Sequence, residues 1–284
     1  MEHTVKSFLM IGQSNMAGRG YLHEVKPIVN ERIVMLRNGR WQMMAEPINC
    51  DRSVAGISLA ASFAEAWCHE YKEGQIGLIP CAEGGSEIDE WDVGNALYNH
   101  AISEARFAMK NSQLTGILWH QGESDGMGGK HEKYYEKLHR IMQGFRKELD
   151  APNLPIIIGG LGDFLGRSGF GKNCTEYTLI NQKLKQFAFE NDNCYFVDAA
   201  GLTCNPDGIH INAVSQRKFG LRYFEAFYRK QHILEPLTNE DEKLLILEAR
   251  AHTKAEKIFL LSMQMALGHI SYRDFEARMA QTLE

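Results

Sequence analysis

Phe8-Leu9-Met10-Ile11-Gly12-Gln13-Ser14-Asn15-Met16-Ala17-Gly18-Arg19-Gly20 is the stretch on which the reading of this chain turns. The apolar run from Val5 to Ile11, broken only by Lys6 and Ser7, stops at Gly12, and small polar residues follow. Such a run, ended by glycine, is the pattern of a buried parallel strand that enters a tight turn. In open α/β sheets ligands bind beyond the carboxyl ends of these strands. Ser14, between Gly12 and Gly18, therefore either presents its hydroxyl and nearby amides to a ligand or merely caps a short helix.

The remainder of the chain repeats the pattern. Arg32–Leu36 reads as a short strand, with Asn38-Gly39 as a turn signal before Trp41. Apolar residues at Leu59, Phe63, Ala66 and Trp67 keep helical spacing from Ser58 to Tyr71, with an end near Gly74. Strands follow at Ile76–Pro80, Leu114–Trp119, Pro155–Gly160 and Cys194–Asp198. Helices fall between and after them, at Ala96–Lys110, Lys130–Leu149, Thr175–Glu190 and Asn212–Lys230. This alternation predicts a doubly wound, mostly parallel sheet. Beyond Glu235-Pro236, the best boundary, the pattern predicts a long helix from Thr238 to Leu267, with Thr238 and Asp241 as a capping pair. Gly268 ends it, and Ser271-Tyr272-Arg273-Asp274 caps a shorter one. The division is thus 1–235 for the α/β body and 236–284 for a helical extension, whose apolar middle (Ile258–Leu261, Met263, Met265) needs the body or a second subunit to cover it. A homodimer through these helices is one such expectation.

Composition narrows the function classes. With 31 basic and 36 acidic residues, and no basic block interleaved with aromatics, nucleic acid is not an expected partner. No apolar run approaches the ~18 residues of a membrane span. Six cysteines lie scattered without CxxC spacing, which suits reduced thiols rather than a disulfide framework or zinc site. Val5 already opens the first strand and no leader pattern precedes it, so a cytoplasmic location is expected.

The predicted strand ends hold the chemistry. The first offers Ser14, the second Gly84-Gly85-Ser86 with Trp91 beyond, and the third Trp119-His120-Gln121-Gly122-Glu123-Ser124-Asp125. Asn205-Pro206-Asp207-Gly208-Ile209-His210 lies near the end of the sheet. A neutral serine needs a base within reach, oriented by a third group. Asp207 and His210, three residues apart across a glycine turn, can place carboxylate and imidazole on one side of the chain; alone, such a pair is also an ordinary turn. An oxyanion site needs donors where charge develops, and the amides at Ser14 and at Gly84 or Gly85, with the Gln121 side chain, are candidates.

Together, Gly12-Gln13-Ser14-Asn15-Met16-Ala17-Gly18, Gly84-Gly85-Ser86, Trp119 to Asp125 and Asp207-Gly208-Ile209-His210 resemble the SGNH-hydrolase superfamily. Within it they are similar to the sialate O-acetylesterase-like and acetylxylan-esterase-like group, the sixth carbohydrate-esterase family. The resemblance implies a three-layer, flavodoxin-like fold and metal-free, cofactor-free removal of acetyl groups from acetylated carbohydrate. By it, Ser14 is the nucleophile, His210 the general acid/base and Asp207 its orienting partner. The oxyanion donors it implies are the Ser14 amide, an amide of Gly84 or Gly85 with Gly85 preferred, and Gln121. Asn15 bonds local backbone or substrate, and Glu123 holds its loop or supports the triad. Trp41 and Trp91 stack on a sugar at the rim or pack in the core, and a metal at His120 and Asp125 lacks recognised ligand spacing. A longer-chain lipase, thioesterase or acyltransferase, and a non-catalytic carbohydrate-binding protein, are the alternative functions. The resemblance stops short of the extension from about Pro236.

Overall fold

The opening apolar run forms strand β1 (Val5–Gly12), and the four-residue helix α1 (Ser14–Ala17) follows it directly in the computed structural model, which describes residues 5–283. Asn38 and Gly39, both at positive φ, turn β2 (Ile33–Arg37) back into the short antiparallel β3 (Arg40–Met43). Then come α2 (Leu59–Glu70), β4 (Gln75–Pro80), α3 (Ala96–Ala108), β5 (Gln113–His120), α4 (His131–Glu148), β6 (Ile156–Gly159), α5 (Tyr177–Glu190), β7 (Cys194–Val197) and α6 (Ala213–Arg229). The seven strands lie in the order β3-β2-β4-β1-β5-β6-β7, and every pair except β2–β3 is parallel.

The central position of β1 explains its apolar sequence. Leu9 and Ile11 face the layer formed by α3, α4 and α5, whereas Phe8 and Met10 face α2 and α6. All four are fully buried, and each such side chain contributes roughly 1.5–3 kcal/mol. The result is a three-layer helix–sheet–helix sandwich with a core on each face, the architecture predicted from the alternation of elements. β2 and β4 are added on one side of β1 and β5, β6 and β7 on the other, so its carboxyl end opens at a topological switch point between β4 and β5.

The extension differs from its predicted form. In place of one helix from Thr238 to Leu267 there are two, α7 (Glu240–Glu248) and α8 (Lys254–Ala266), followed by α9 (Tyr272–Leu283). The cause of the break is tertiary. Arg250 donates to the Val29 carbonyl and pairs with Glu65 and Glu256, which draws the chain out of helical geometry. Thr253 then restarts it through a capping box with Glu256, whose carboxylate also accepts from the Glu31 amide. The predicted Thr238–Asp241 cap does not form either: Asn239, at φ 62°, precedes α7 without a side-chain cap. Gly268 and the Ser271–Asp274 pair do terminate α8 and start α9 as their residue types predict.

α7 is fastened to the body by the buried Arg222–Glu240 pair, in which Arg222 also donates to the carbonyls of Asp198 and Ala200. Removing one partner of such a pair leaves the other charge buried without compensation. Glu240→Ala is therefore expected to lower unfolding free energy by about 3–5 kcal/mol, measured by urea denaturation, whereas substituting the exposed Asp241 should cost well under half of that.

Candidate active site

Three strand ends are tied together at the switch point. Gln13 N–H donates to the His120 carbonyl at 2.9 Å, and the Gly12 carbonyl accepts from Glu83 N–H at 3.0 Å. Gly12 sits at φ +128°, and a Cβ there would lie 2.1 Å from the His120 carbonyl oxygen, so the crossing requires glycine. The chain then enters α1 with Gln13 at its N-cap and Ser14 as the first helical residue. The Ser14 hydroxyl caps nothing: among the described residues it has no hydrogen-bond partner, and the residue is 4% exposed.

The Asp207–His210 loop is brought to this turn by Asn15. Its Oδ1 accepts from Ile211 N–H at 2.9 Å and its Nδ2 donates to the Ile209 carbonyl at 3.1 Å, so both neighbours of His210 are clamped to the neighbour of Ser14. Gln216 of α6 and Asn205 add bonds to the carbonyls of Asn15 and Arg19. Within the loop, Asp207 Oδ2 meets His210 Nδ1 at 2.8 Å, and Asp207 Oδ1 accepts the amides of Ile209 and His210, each at 3.0 Å. Burial pushes the Asp207 carboxyl up, but these backbone donors and the imidazole outweigh it and hold the group below the usual carboxylate range. An ionised Asp207 makes Nδ1 the protonated nitrogen of His210 and leaves Nε2 as an acceptor. Ser14 Oγ and His210 Nε2 are not hydrogen-bonded to each other, a contact that commonly tightens only around substrate.

The glycine turn separates its two candidate donors. Gly84 N–H is taken by Asp51 Oδ2 at 2.9 Å, whereas Gly85 N–H has no acceptor among the described residues. Gly85 lies at φ +81°, a backbone conformation costly for any other residue here. The Ser14 amide, at the start of α1, is likewise without an acceptor. Gln121 departs from expectation. It is fully buried, and its Nε2 donates to the Ser86 carbonyl at 3.0 Å and to Asp125 at 2.6 Å, with Gln13 Oε1 a third acceptor at 3.2 Å. Tyr134 bonds its Oε1, so Gln121 joins loops and has no hydrogen left for a ligand.

Several other candidates fall into supporting places. Glu123 receives Asn15 Nδ2 and faces His120 Nε2 at 3.1 Å, with both acid and imidazole enclosed. Burial raises the Glu123 carboxyl, yet the neighbouring His120 and these hydrogen bonds bring it below its ordinary value. Asp125 is occupied by Gln121 and the Ile88 amide, and burial pushes it up. Trp91 is not at a rim: it is fully buried, edge-on to Trp119, and donates to Ser86 Oγ. Trp41 packs over Gly77 beside Val5, at the opposite end of β1 from Ser14.

Two structural residues escaped the sequence reading. Asp51 and Arg19 form a buried pair whose carboxylate also holds Gly84, and their separation of 32 positions gives no local signal. Gln13 was visible in the opening motif, but its side-chain role depends on partners near residue 122. Asp51 carries a testable consequence. Burial raises its carboxyl, while the hydrogen bond and charge of Arg19 and the bonds from Asn49 and Gly84 more than offset this, leaving it lowered. A depressed folded value means its stabilisation is present above the unfolded carboxyl value of ~3.9 and lost as pH falls through the folded one. Asp51→Ala should cost about 3–5 kcal/mol in urea unfolding at pH 7, with the deficit shrinking progressively in acid below ~3.9.

Known proteins resemble this chain in sequence and in fold. Residues 4–229 match the family described as "Carbohydrate esterase, sialic acid-specific acetylesterase". A "Probable carbohydrate esterase" of Arabidopsis thaliana is 31% identical over 242 residues, which covers 78% of this chain and 89% of the plant protein. The X-ray structure of that Arabidopsis protein superposes with a TM-score of 0.71 at 28% identity, covering 79% of this chain and 98% of the other. The crystal structure of NanS shares the fold, with a TM-score of 0.67 at 16% identity over 81% of this chain and 98% of NanS. The chain belongs to the sialic acid-specific acetylesterase family of carbohydrate esterases, and it is an ester-hydrolysing enzyme of the SGNH-like fold.

Proposed function

We propose that the enzyme removes acetyl groups from acetylated sugars, xylo-oligosaccharides or sialic acids, through a Ser14–His210–Asp207 acyl-enzyme mechanism. One observation carries this reading: Asn15 clamps the loop of the His210–Asp207 pair to the turn that bears an unengaged Ser14 hydroxyl. His210 Nε2 takes the Ser14 proton as Oγ attacks the acetyl carbon and the carbonyl electron pair moves to oxygen. The free amides of Ser14 and Gly85 receive that negative charge. The tetrahedral species collapses, the sugar alcohol departs with the proton from His210, and water reverses the relay to release acetate. Asp207, kept ionised by two backbone amides, holds the imidazole in the tautomer each step needs and steadies its charged form.

Hydrolysis of p-nitrophenyl acetate by Ser14→Ala should fall by at least about 10³-fold with the fold retained, and a fluorophosphonate probe should label wild type but not the variant. Near-wild-type turnover by Ser14→Ala would reject the reading. Acetate release from acetylated sialic acids and xylo-oligosaccharides then identifies the sugar.

A further inference from the structure

We infer that Phe170 is a specificity-determining residue whose exposed ring stacks on a sugar ring of the acetylated substrate. The inference rests on the sugar-acetylesterase reading above and names a surface that holds the sugar. Phe170 belongs to the long connection, residues 160–176, between β6 and α5. Connections of more than about 12–15 residues are uncommon in compact domains and usually carry function. This one is fastened to two of the loops that meet at the site. Cys174 Sγ donates to the Glu123 carbonyl at 3.0 Å and Glu176 N–H to the Gly126 carbonyl at 2.8 Å, both beyond the end of β5. Phe170 N–H donates to the Asp207 carbonyl at 2.7 Å.

The residues on either side of Phe170 let the two chains lie flush. A Cβ on Gly169 would sit 2.0 Å from the Asp207 carbonyl oxygen, and one on Gly171 2.0 Å from that of Gly208, so each approach requires glycine. Phe170 therefore carries the one side chain of this contact, on backbone held against the turn that orients His210. Its ring is no part of the core. Leu161, Leu165 and Cys174 anchor the connection among buried residues, whereas Phe170 is 79% exposed, more than any other large apolar side chain among the described residues. An aromatic ring left in water on fixed backbone is a platform already organised for a ligand. Its flat apolar face suits the C–H face of a pyranose, the apolar surface that an acetylated sugar offers besides its acetyl group. Trp41 and Trp91, the other aromatic candidates for such a contact, are committed elsewhere, one over Gly77 and the other in the core.

Phe170→Ala tests the role, because the backbone bond to Asp207 stays while the ring is lost. The readout is the ratio of kcat/KM for the better acetylated sugar, sialic acid or xylo-oligosaccharide, to kcat/KM for ethyl acetate, whose alcohol is too small to reach the platform. The ratio should fall about tenfold or more, chiefly through KM for the sugar ester, since stacking holds ground and transition states alike. Phe170→Trp should restore it to within about threefold, and Phe170→Leu, apolar but not flat, should not. An unchanged ratio in Phe170→Ala overturns the inference, also where both rates fall together, because that pattern marks mere support of the Asp207 turn. Restoration by leucine as complete as by tryptophan overturns the stacking as well. Ser14→Ala assayed in parallel keeps the two readings apart. Sugar-ester turnover surviving there, or a wild type that cleaves ethyl acetate and neither sugar ester, rejects the sugar-acetylesterase reading and this inference with it; loss there with an unchanged Phe170→Ala ratio rejects only Phe170.

Discussion

The amide of Asn15 makes the connection on which the site depends. Its oxygen and nitrogen bond the chain on either side of His210, and its nitrogen also reaches the buried Glu123 on the third strand-end loop. The residues joined are 194 and 196 positions apart, so no local preference brings them together. Three loops are referenced to one rigid side chain, itself enclosed at 1% exposure. A misplacement of an ångström is enough to disable positioned chemistry, and a short amide fixed at both ends resists it better than a long flexible side chain would.

Around that clamp lies a layer of buried polar groups that is unusually dense for a protein interior. His120, Gln121, Glu123 and Asp125 on one loop, and Gln13 and Asn15 on another, are all essentially sealed from solvent. In such surroundings each satisfied hydrogen bond is strong and each missing partner expensive, so the network permits few alternative arrangements. Most of its sealed members are spent on one another, while His120 Nδ1 and Glu123 Oε2 keep no partner among the described residues. At the serine and glycine turns the Ser14 hydroxyl and the Ser14 and Gly85 amides are likewise without partners among the described residues. At the glycine turn hydrogen bonding separates two residues of one type, since the Gly84 amide is taken by Asp51 and the Gly85 amide is not.

The same principle governs the extension. Its apolar residues alone predict a continuous helix, but the half-buried Arg250 pairs with the buried carboxylates of Glu65 and Glu256, and this pairing accompanies the break after Glu248. The extension is thereby fixed to the body by the Arg222–Glu240 and Arg250–Glu65 ion pairs and by the hydrogen bond from Glu31 N–H to Glu256, as well as by apolar contact. Leu245, Ile246, Leu267 and Tyr272 nonetheless stay exposed.

The sequence by itself determined the strand order of events along the chain: an apolar run stopped by glycine, repeated with intervening helices, can only be buried on both faces of a sheet. It also determined the chemical types gathered at the strand ends, where Ser14, Asp207 and His210 each have an ordinary cap or turn reading alone and acquire a shared one only together. Period and punctuation are local properties, and they are legible without a structure. Direction and partnership are not. That Gly84 is occupied while Gly85 is free depends on Asp51, and that Gln121 is spent depends on Ser86, Asp125 and Gln13. Trp91 was placed in the core by Trp119 and Ser86. Each of these outcomes is a competition for hydrogen-bond partners or space among segments far apart in sequence, and only the folded chain brings the competitors together.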